Sequence, residues 1–177
     1  AGTVTVIRFD AMDRDGQAVF TEHIGAMMRG VECVGEGRGA EDIPSVPSSD
    51  GTGPARWEKV IRIDRMRPFV YDGCTNIYFP IHPSVGFARM VGLPDIILQG
   101  TATLAYAARE LADREAGGDP RRLKELSCRF TGMVVPPGDI RVLLAGRRER
   151  EGGADLFFEV HGEAGRVLSN GYARGGK

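Results

Sequence analysis

The prediction of the fold rests mainly on residues 81–111, IHPSVGFARMVGLPDIILQGTATLAYAAREL. It holds one histidine, a short amphipathic segment, a Gly-Leu-Pro break and a segment that opens on Gln-Gly. From 101 to 115 the chain is rich in Ala, Leu, Arg and Glu and contains neither Gly nor Pro, which predicts a helix. Its first half, TATLAYAA, has small residues on almost every side, a pattern typical of a helix surrounded by protein. We therefore expect a buried central helix over 101–115.

Segments with strand patterns precede and follow this helix in the sequence. Before it, residues 56–65 predict a strand, 66–74 a short helical turn and 84–91 a small helix. After it, turn residues at hairpin spacing separate four predicted strands, 122–135, 140–148, 155–162 and 166–174. One helix followed by an antiparallel meander indicates the α+β class, with an antiparallel sheet wrapped round one long central helix.

The N-terminal segment predicts a hairpin and a linker. Residues 3–9 and 17–28 have strand patterns, and DRDG at 13–16 is a turn between them. Residues 35–55 are rich in Gly, Pro, Ser and acidic residues and lack apolar periodicity, which is typical of a linker. Because one hairpin cannot bury its own apolar face, we expect it to add to another sheet.

Composition narrows the function classes. The chain has 177 residues and a formal net charge of -1, and this near-zero charge gives no indication of nucleic-acid binding. No stretch of about 18 apolar residues occurs, and we expect no membrane association. Cys33, Cys74 and Cys128 form no CxxC or Cys/His ligand spacing, so we expect no zinc and no other metal or cofactor. An odd cysteine count without an evident leader favours a reducing, cytoplasmic setting.

Several short segments between residues 56 and 174 match segments of a known protein family, in the same order along the chain. They are Pro80-Ile81-His82, Phe87-Ala88-Arg89, Gly92-Leu93-Pro94, Ile97-Leu98-Gln99-Gly100, the strand over 122–132 and Ser169-Asn170-Gly171-Tyr172-Ala173. The sequence resembles the MaoC-like (R)-specific enoyl-thioester hydratases and dehydratases, which have the hotdog fold. The resemblance implies three parts: residues 1–34 as the closing hairpin of a partial N-terminal hotdog half, 35–55 as a linker, and 56–177 as a MaoC-like hotdog domain.

The chain departs from the family at its catalytic motif. That motif is roughly Asp-x-Asn-Pro-Φ-His, where Φ is apolar, and here residues 77–82 read IYFPIH. Ile77 therefore occupies the aspartate position and Phe79 the asparagine position. The family's helix usually opens on His-Gly, whereas this one opens on Gln99-Gly100.

The remaining motif residues suit the chemistry of an enoyl thioester. His82 is the expected general base, because the pKa of a histidine lies nearest to neutral pH. The unpaired N–H groups at the start of the helix, at Gly100 and Thr101, are expected to bind the thioester oxygen, although Gly100 could equally serve packing. Gln99 can donate or accept a hydrogen bond but cannot exchange a proton at neutral pH.

The second acid–base group has several candidates near the missing aspartate: Asn76, Tyr78, Asp72, Ser84 and Asp95. Of these, Tyr78 could donate a proton and Asn76 could orient a water, and each is also consistent with a structural role. We expect Ile77, Phe79 and Ser84 to contact the substrate, with the first two making the pocket more apolar.

Three functions are consistent with these residues. The first is a hydratase or dehydratase acting on an α,β-unsaturated or β-hydroxy acyl thioester of CoA or a carrier protein, with a single histidine base. The alternatives are a hotdog thioesterase, in which Gln99 and the helix start polarise the carbonyl, and a catalytically silent acyl-binding or assembly domain. The resemblance also implies a homodimer or the pairing of two hotdog halves.

Overall fold

Residues 2–49 and 54–176 are described by the computed structural model, and they belong to two units, Ala1–Ser45 and Val46–Lys177. The first unit holds the antiparallel pair β1 (Gly2–Met12) and β2 (Ala18–Arg29), as the alternating pattern predicts. The Asp13 carboxylate closes their turn, because it accepts the N–H groups of Asp15 and Gln17 at 2.9 and 2.8 Å. A short 3-10 helix, Ala40–Asp42, lies inside the predicted linker, of which residues 50–53 lie outside the described residues.

The second unit contains a five-stranded antiparallel sheet in the order β3-β5-β6-β7-β4. The bounds of its strands are β3 Trp57–Ile63, β4 Leu123–Phe130, β5 Gly138–Arg150, β6 Gly153–Gly162 and β7 Gly165–Gly176. Three helices precede β4 in the chain, namely α1 Arg67–Thr75, α2 Val85–Met90 and α3 Gly100–Glu115. The sheet wraps round α3, which is the hotdog arrangement that the resemblance implies.

The core forms where alternate residues of the sheet meet one side of α3. Leu144 on β5 and Phe158 on β6 are enclosed there, together with Ala107 and Leu111 of the helix. A fully buried side chain of this size stabilises the fold by about 1.5–3 kcal/mol relative to an exposed one. This packing fixes the direction of α3 and therefore the place where its N-terminus opens.

Two predictions for this unit need correction. The helix is not surrounded on all sides by the described residues, since Thr101, Ala105 and Arg109 are exposed. Alanine is equally compatible with buried and exposed positions, so a run of small residues does not show which side is covered. The strand predicted over 122–135 ends at Phe130, and Pro136-Pro137, which have no N–H group to donate, follow six residues later.

No helix in the described part of the chain is long and apolar enough to cross a membrane.

Candidate active site

A cavity of about 230 Å³ opens at the N-terminal end of α3. Three segments that are distant in the sequence form its wall: α1 with the loop that follows, the start of α3, and the end of β4. The lining residues are Tyr71, Ile77, Phe79, His82, Gln99, Gly100, Thr101 and Phe130. Six of these eight belong to the predicted site.

His82 is held in this cavity by hydrogen bonds to the main chain. Its backbone N–H donates to the Phe79 carbonyl at 3.0 Å, and its Nδ1 lies 2.8 Å from the carbonyl oxygen of Ile97. Because a carbonyl oxygen can only accept, Nδ1 carries the hydrogen in this contact. The neutral ring therefore has its lone pair on Nε2, which is the atom that can take a proton. The Phe79 ring packs near the imidazole, with ring centroids 6.4 Å apart in an edge arrangement.

Gln99, the residue that precedes α3, is buried with an exposed fraction of 5%. Its Nε2 donates to the Pro68 carbonyl at 3.0 Å and to Oδ1 of Asp72 at 2.6 Å. The side-chain amide has two N–H hydrogens, so both are engaged. Gln99 Oε1 is buried and receives no hydrogen bond from any described residue, and the same holds for Oδ2 of Asp72.

The first turn of α3 offers backbone donors at the cavity. Helix geometry leaves the N–H groups of Gly100 and Thr101 without partners inside the helix, and the helix dipole makes this end favourable for negative charge. A Cβ atom at position 100 would stand 2.9 Å from Cδ1 of Phe130. The glycine therefore meets a packing requirement as well as leaving its backbone open to approach.

Three residues of the predicted site do not line the cavity. Asn76 ends α1 in the left-handed conformation, with φ of 56°, and its N–H donates to the Asp72 carbonyl. Tyr78 is 66% exposed. Ser84 accepts the N–H of Phe87 at 3.2 Å and so caps α2. The roles assigned to these three residues remain predictions.

The carboxylates near the missing aspartate position differ in their surroundings. Asp95 binds Arg65 at 3.1 Å, and this hydrogen-bonded pair, with the N–H of Ile96, holds the pKa of its carboxyl below the ordinary value. Among the candidates, Asp72 is the carboxylate that contacts a lining residue, through Gln99.

Sequence reasoning missed two lining residues, Tyr71 and Phe130. Tyr71 precedes Asp72 on α1, a segment predicted only as a helical turn, so no face could be assigned to its side chains. Phe130 lies at the end of β4, and its packing on Gly100 joins positions 30 residues apart. A local pattern gives no signal for such a contact.

The chain is similar to known proteins over most of its length. A family model described as MaoC like domain matches residues 56–169. The chain is 34% identical over 96 residues to fatty acid synthase beta subunit pigK of Monascus ruber, which covers 52% of this chain and 5% of that protein. It is 37% identical over 59 residues to peroxisomal enoyl-CoA hydratase 2 of Arabidopsis thaliana, which covers 33% of this chain and 19% of that protein. It thus spans a small part of both curated relatives.

Among solved structures, the chain is similar to a MaoC-like dehydratase from Phytophthora capsici, with a TM-score of 0.85 and 21% identity. This likeness covers 99% of this chain and 57% of that one, and at such an identity it shows the fold. The family model over residues 56–169 shows that the chain belongs to the MaoC-like dehydratase family.

Proposed function

We propose that the second unit adds water to an α,β-unsaturated acyl thioester, or removes it from the β-hydroxy form, with His82 as its single general base. The observation that carries this proposal is the contact between His82 Nδ1 and the Ile97 carbonyl. It leaves Nε2 as the basic atom of a histidine that lines the cavity at the start of α3. The family membership supplies the reaction class.

One histidine can complete a hydration when both new bonds form on the same face of the substrate. His82 Nε2 takes a proton from water as the water oxygen bonds to Cβ, and the π electrons move onto the thioester oxygen. The N–H groups of Gly100 and Thr101 stabilise the charge that develops there. The imidazolium then returns its proton to Cα, which restores the base and the thioester carbonyl. Dehydration follows the same steps in reverse.

The substrate class is proposed from the chemistry of the cavity and from the relatives' names. An apolar wall of Ile77, Phe79 and Phe130 suits an acyl chain, whereas the donors at the helix start suit a carbonyl oxygen. The relatives named enoyl-CoA hydratase 2 and fatty acid synthase point to CoA and to a carrier protein, respectively. We propose a thioester of one of these two carriers.

The thioesterase alternative is weakened by the hydrogen bonds of Gln99. In that reaction Gln99 would donate to the thioester carbonyl, but both of its amide hydrogens already bind acceptors, Pro68 and Asp72. The silent binding domain is supported by Ile77 and Phe79, which replace the polar residues of the family motif with apolar lining. Both alternatives are outcomes of the following test.

The test is to incubate the chain with crotonyl-CoA and record the enoyl-thioester absorbance and the free thiol in parallel. We expect the absorbance to fall without release of thiol, and 3-hydroxybutyryl-CoA to form. Release of thiol at the same rate would favour the thioesterase. Saturable binding without any turnover would favour the silent domain.

We also propose pairing of this chain with a second hotdog half, either in an identical chain or in another. Many apolar side chains of the β1–β2 pair are exposed in the first unit, among them Ile7, Phe9, Phe20 and Ile24. Such a two-stranded sheet needs another surface to cover it. A reducing, cytoplasmic setting is proposed because Cys33, Cys74 and Cys128 are free thiols.

A further inference from the structure

Three large apolar side chains of the cavity wall are open to solvent. Ile77, Phe79 and Phe130 line the cavity, yet 67%, 53% and 51% of their surfaces are exposed. Apolar surface in contact with water is unfavourable, so a wall of this kind gains free energy when an apolar group covers it. The same cavity is lined by His82 and Gly100, and a thioester bound between these two residues would lie along this wall.

Phe79 is the wall residue beside the histidine. Its ring centroid lies 6.4 Å from that of the His82 imidazole, and its carbonyl accepts the His82 N–H at 3.0 Å. The main chain of Phe79 thus holds the histidine while its ring forms the adjoining wall. Phe130 has a different position, because it packs on Gly100 at the start of α3.

The wall offers nothing to a charged acyl group. The eight lining residues, all of them within the described part of the chain, include no Lys, Arg, Asp or Glu. A carboxylate placed against Ile77 and Phe79 would lose contacts with water without gaining an ion pair. The wall therefore suits an uncharged hydrocarbon chain.

We propose that the acyl chain of the substrate is uncharged, apolar and longer than four carbons, and that Phe79 is the residue that selects it. This inference deepens the proposed function and rests on it. With the thioester carbonyl at Gly100 and Cβ at the water that His82 activates, the carbons beyond Cβ extend along Ile77 and Phe79. A crotonyl group has one such carbon, whereas a trans-2-octenoyl group has five.

The size of the preference follows from the area that the wall can cover. A methylene group that is fully buried in an apolar site strengthens binding about fourfold. The open wall covers one side of the chain, so about twofold per methylene is expected, or about tenfold for four methylenes. Octanoyl-CoA should therefore bind about tenfold more tightly than butyryl-CoA. Succinyl-CoA, a four-carbon thioester with a terminal carboxylate, should bind at least about tenfold more weakly than butyryl-CoA.

The test is to measure the dissociation constants of these three thioesters, none of which has a double bond to hydrate. Phe79→Asn introduces the polar residue of the family motif and should lower the ratio between butyryl-CoA and octanoyl-CoA to about threefold or less. Phe79→Leu keeps an apolar side chain and should retain most of the preference. The matched control is Phe20→Asn, which makes the same change at a phenylalanine of β2 that is 57% exposed and outside the lining. It should leave the ratio unchanged.

Equal affinity for octanoyl-CoA and butyryl-CoA would overturn the inference and indicate that another surface, such as a second copy of the chain, covers the wall. A preference that survives Phe79→Asn, or that Phe20→Asn abolishes equally, would overturn it too, because the acyl chain would then bind elsewhere. Succinyl-CoA bound as tightly as butyryl-CoA would contradict the selection against charge. Absence of turnover of both crotonyl-CoA and trans-2-octenoyl-CoA, with the preference intact, would count against the proposed function alone.

Discussion

At the scale of single residues, the hydrogen bonds of His82 and Gln99 show which of their polar groups the protein already uses. Each side chain has two polar ends, and in each case the protein uses the donor end: Nδ1–H of His82 contacts Ile97, and the amide N–H groups of Gln99 contact Pro68 and Asp72. What remains at the cavity is the lone pair of the imidazole nitrogen Nε2 of His82. This lone pair is an acceptor, as the activation of a water molecule requires.

A buried tyrosine–carboxylate pair gives a prediction for stability at this scale. Tyr172 donates to Asp155 at 2.9 Å, and Asp155 is also bound by Arg150. Burial and the neighbouring carboxylate raise the pKa of Tyr172 to about 12. Because the folded-state pKa lies above the unfolded value of about 10, this group's contribution to stability is fully present below pH about 10 and is lost as the pH rises through about 12.

Tyr172→Phe should lower the free energy of unfolding at neutral pH by about 1–3 kcal/mol, because the buried Asp155 loses a donor. The difference between the variant and the unmodified chain should shrink between pH about 10 and 12. Denaturant unfolding at several pH values measures both quantities. Tyr78→Phe is the matched control, since Tyr78 is 66% exposed, and it should change the unfolding free energy by less than about 0.5 kcal/mol. A Tyr172→Phe difference that stays constant to pH 12 would contradict this account.

At the scale of elements, the N-terminus of α3 packs against Phe130 and is also the proposed binding place of the thioester oxygen. Gly100 lies against the Phe130 ring, so a side chain at position 100 would meet that ring before it met a substrate. The loss of activity expected for Gly100→Ala therefore has two possible causes, a displaced Phe130 and a blocked approach to the backbone donors.

A double variant separates these causes. Phe130→Ala removes the ring that the new Cβ would strike, so Gly100→Ala/Phe130→Ala carries no such clash. If the thioester oxygen binds at this backbone, the double variant should turn over crotonyl-CoA about 100-fold more slowly than Phe130→Ala alone, a typical effect of losing one oxyanion donor. Steady-state rates of the three variants measure this effect. Recovery of the double variant to the Phe130→Ala rate would show that Gly100 serves packing only.

The elements themselves were largely predictable from the sequence, because each rests on a local pattern. The helix predicted over 101–115 is α3, Gly100–Glu115, and the predicted turns separate β5, β6 and β7. What could not be predicted depends on contacts between distant parts of the chain. The Phe130–Gly100 contact and the Gln99–Asp72 hydrogen bond join residues that are distant in the sequence, and no local pattern predicts either contact. The local sequence also does not show which side of α3 is exposed.

The site, too, contains residues that a local motif predicts and contacts that no local motif predicts. The motif Pro80-Ile81-His82 and the Gln99-Gly100 helix start are local, and both were recognised in the sequence. The buried carboxylate that binds Gln99 is 27 positions away, on α1. Only the packing of α1 against the residue that precedes α3 brings the two side chains together.

At the scale of the whole molecule, the proposed pairing of hotdog halves should determine the mass in solution. The apolar side chains exposed on the β1–β2 hairpin would be covered in a pair. Sedimentation equilibrium on the 177-residue chain of 19.2 kDa should therefore give twice that mass. Ile24→Lys, which places a charge on the hairpin surface, should shift the equilibrium toward the monomer. A monomer at all concentrations would contradict self-pairing.

The proposed role of His82 as the base for hydration of an enoyl thioester can be tested by the turnover of crotonyl-CoA by His82→Ala. The matched control is His161→Ala, because His161 is a partly buried histidine outside the cavity lining that contacts Glu159. His82→Ala should lower turnover at least about 100-fold with little change in melting temperature, whereas His161→Ala should retain it. Turnover that is unchanged in His82→Ala, or lowered equally by both variants, would show that His82 is not the base.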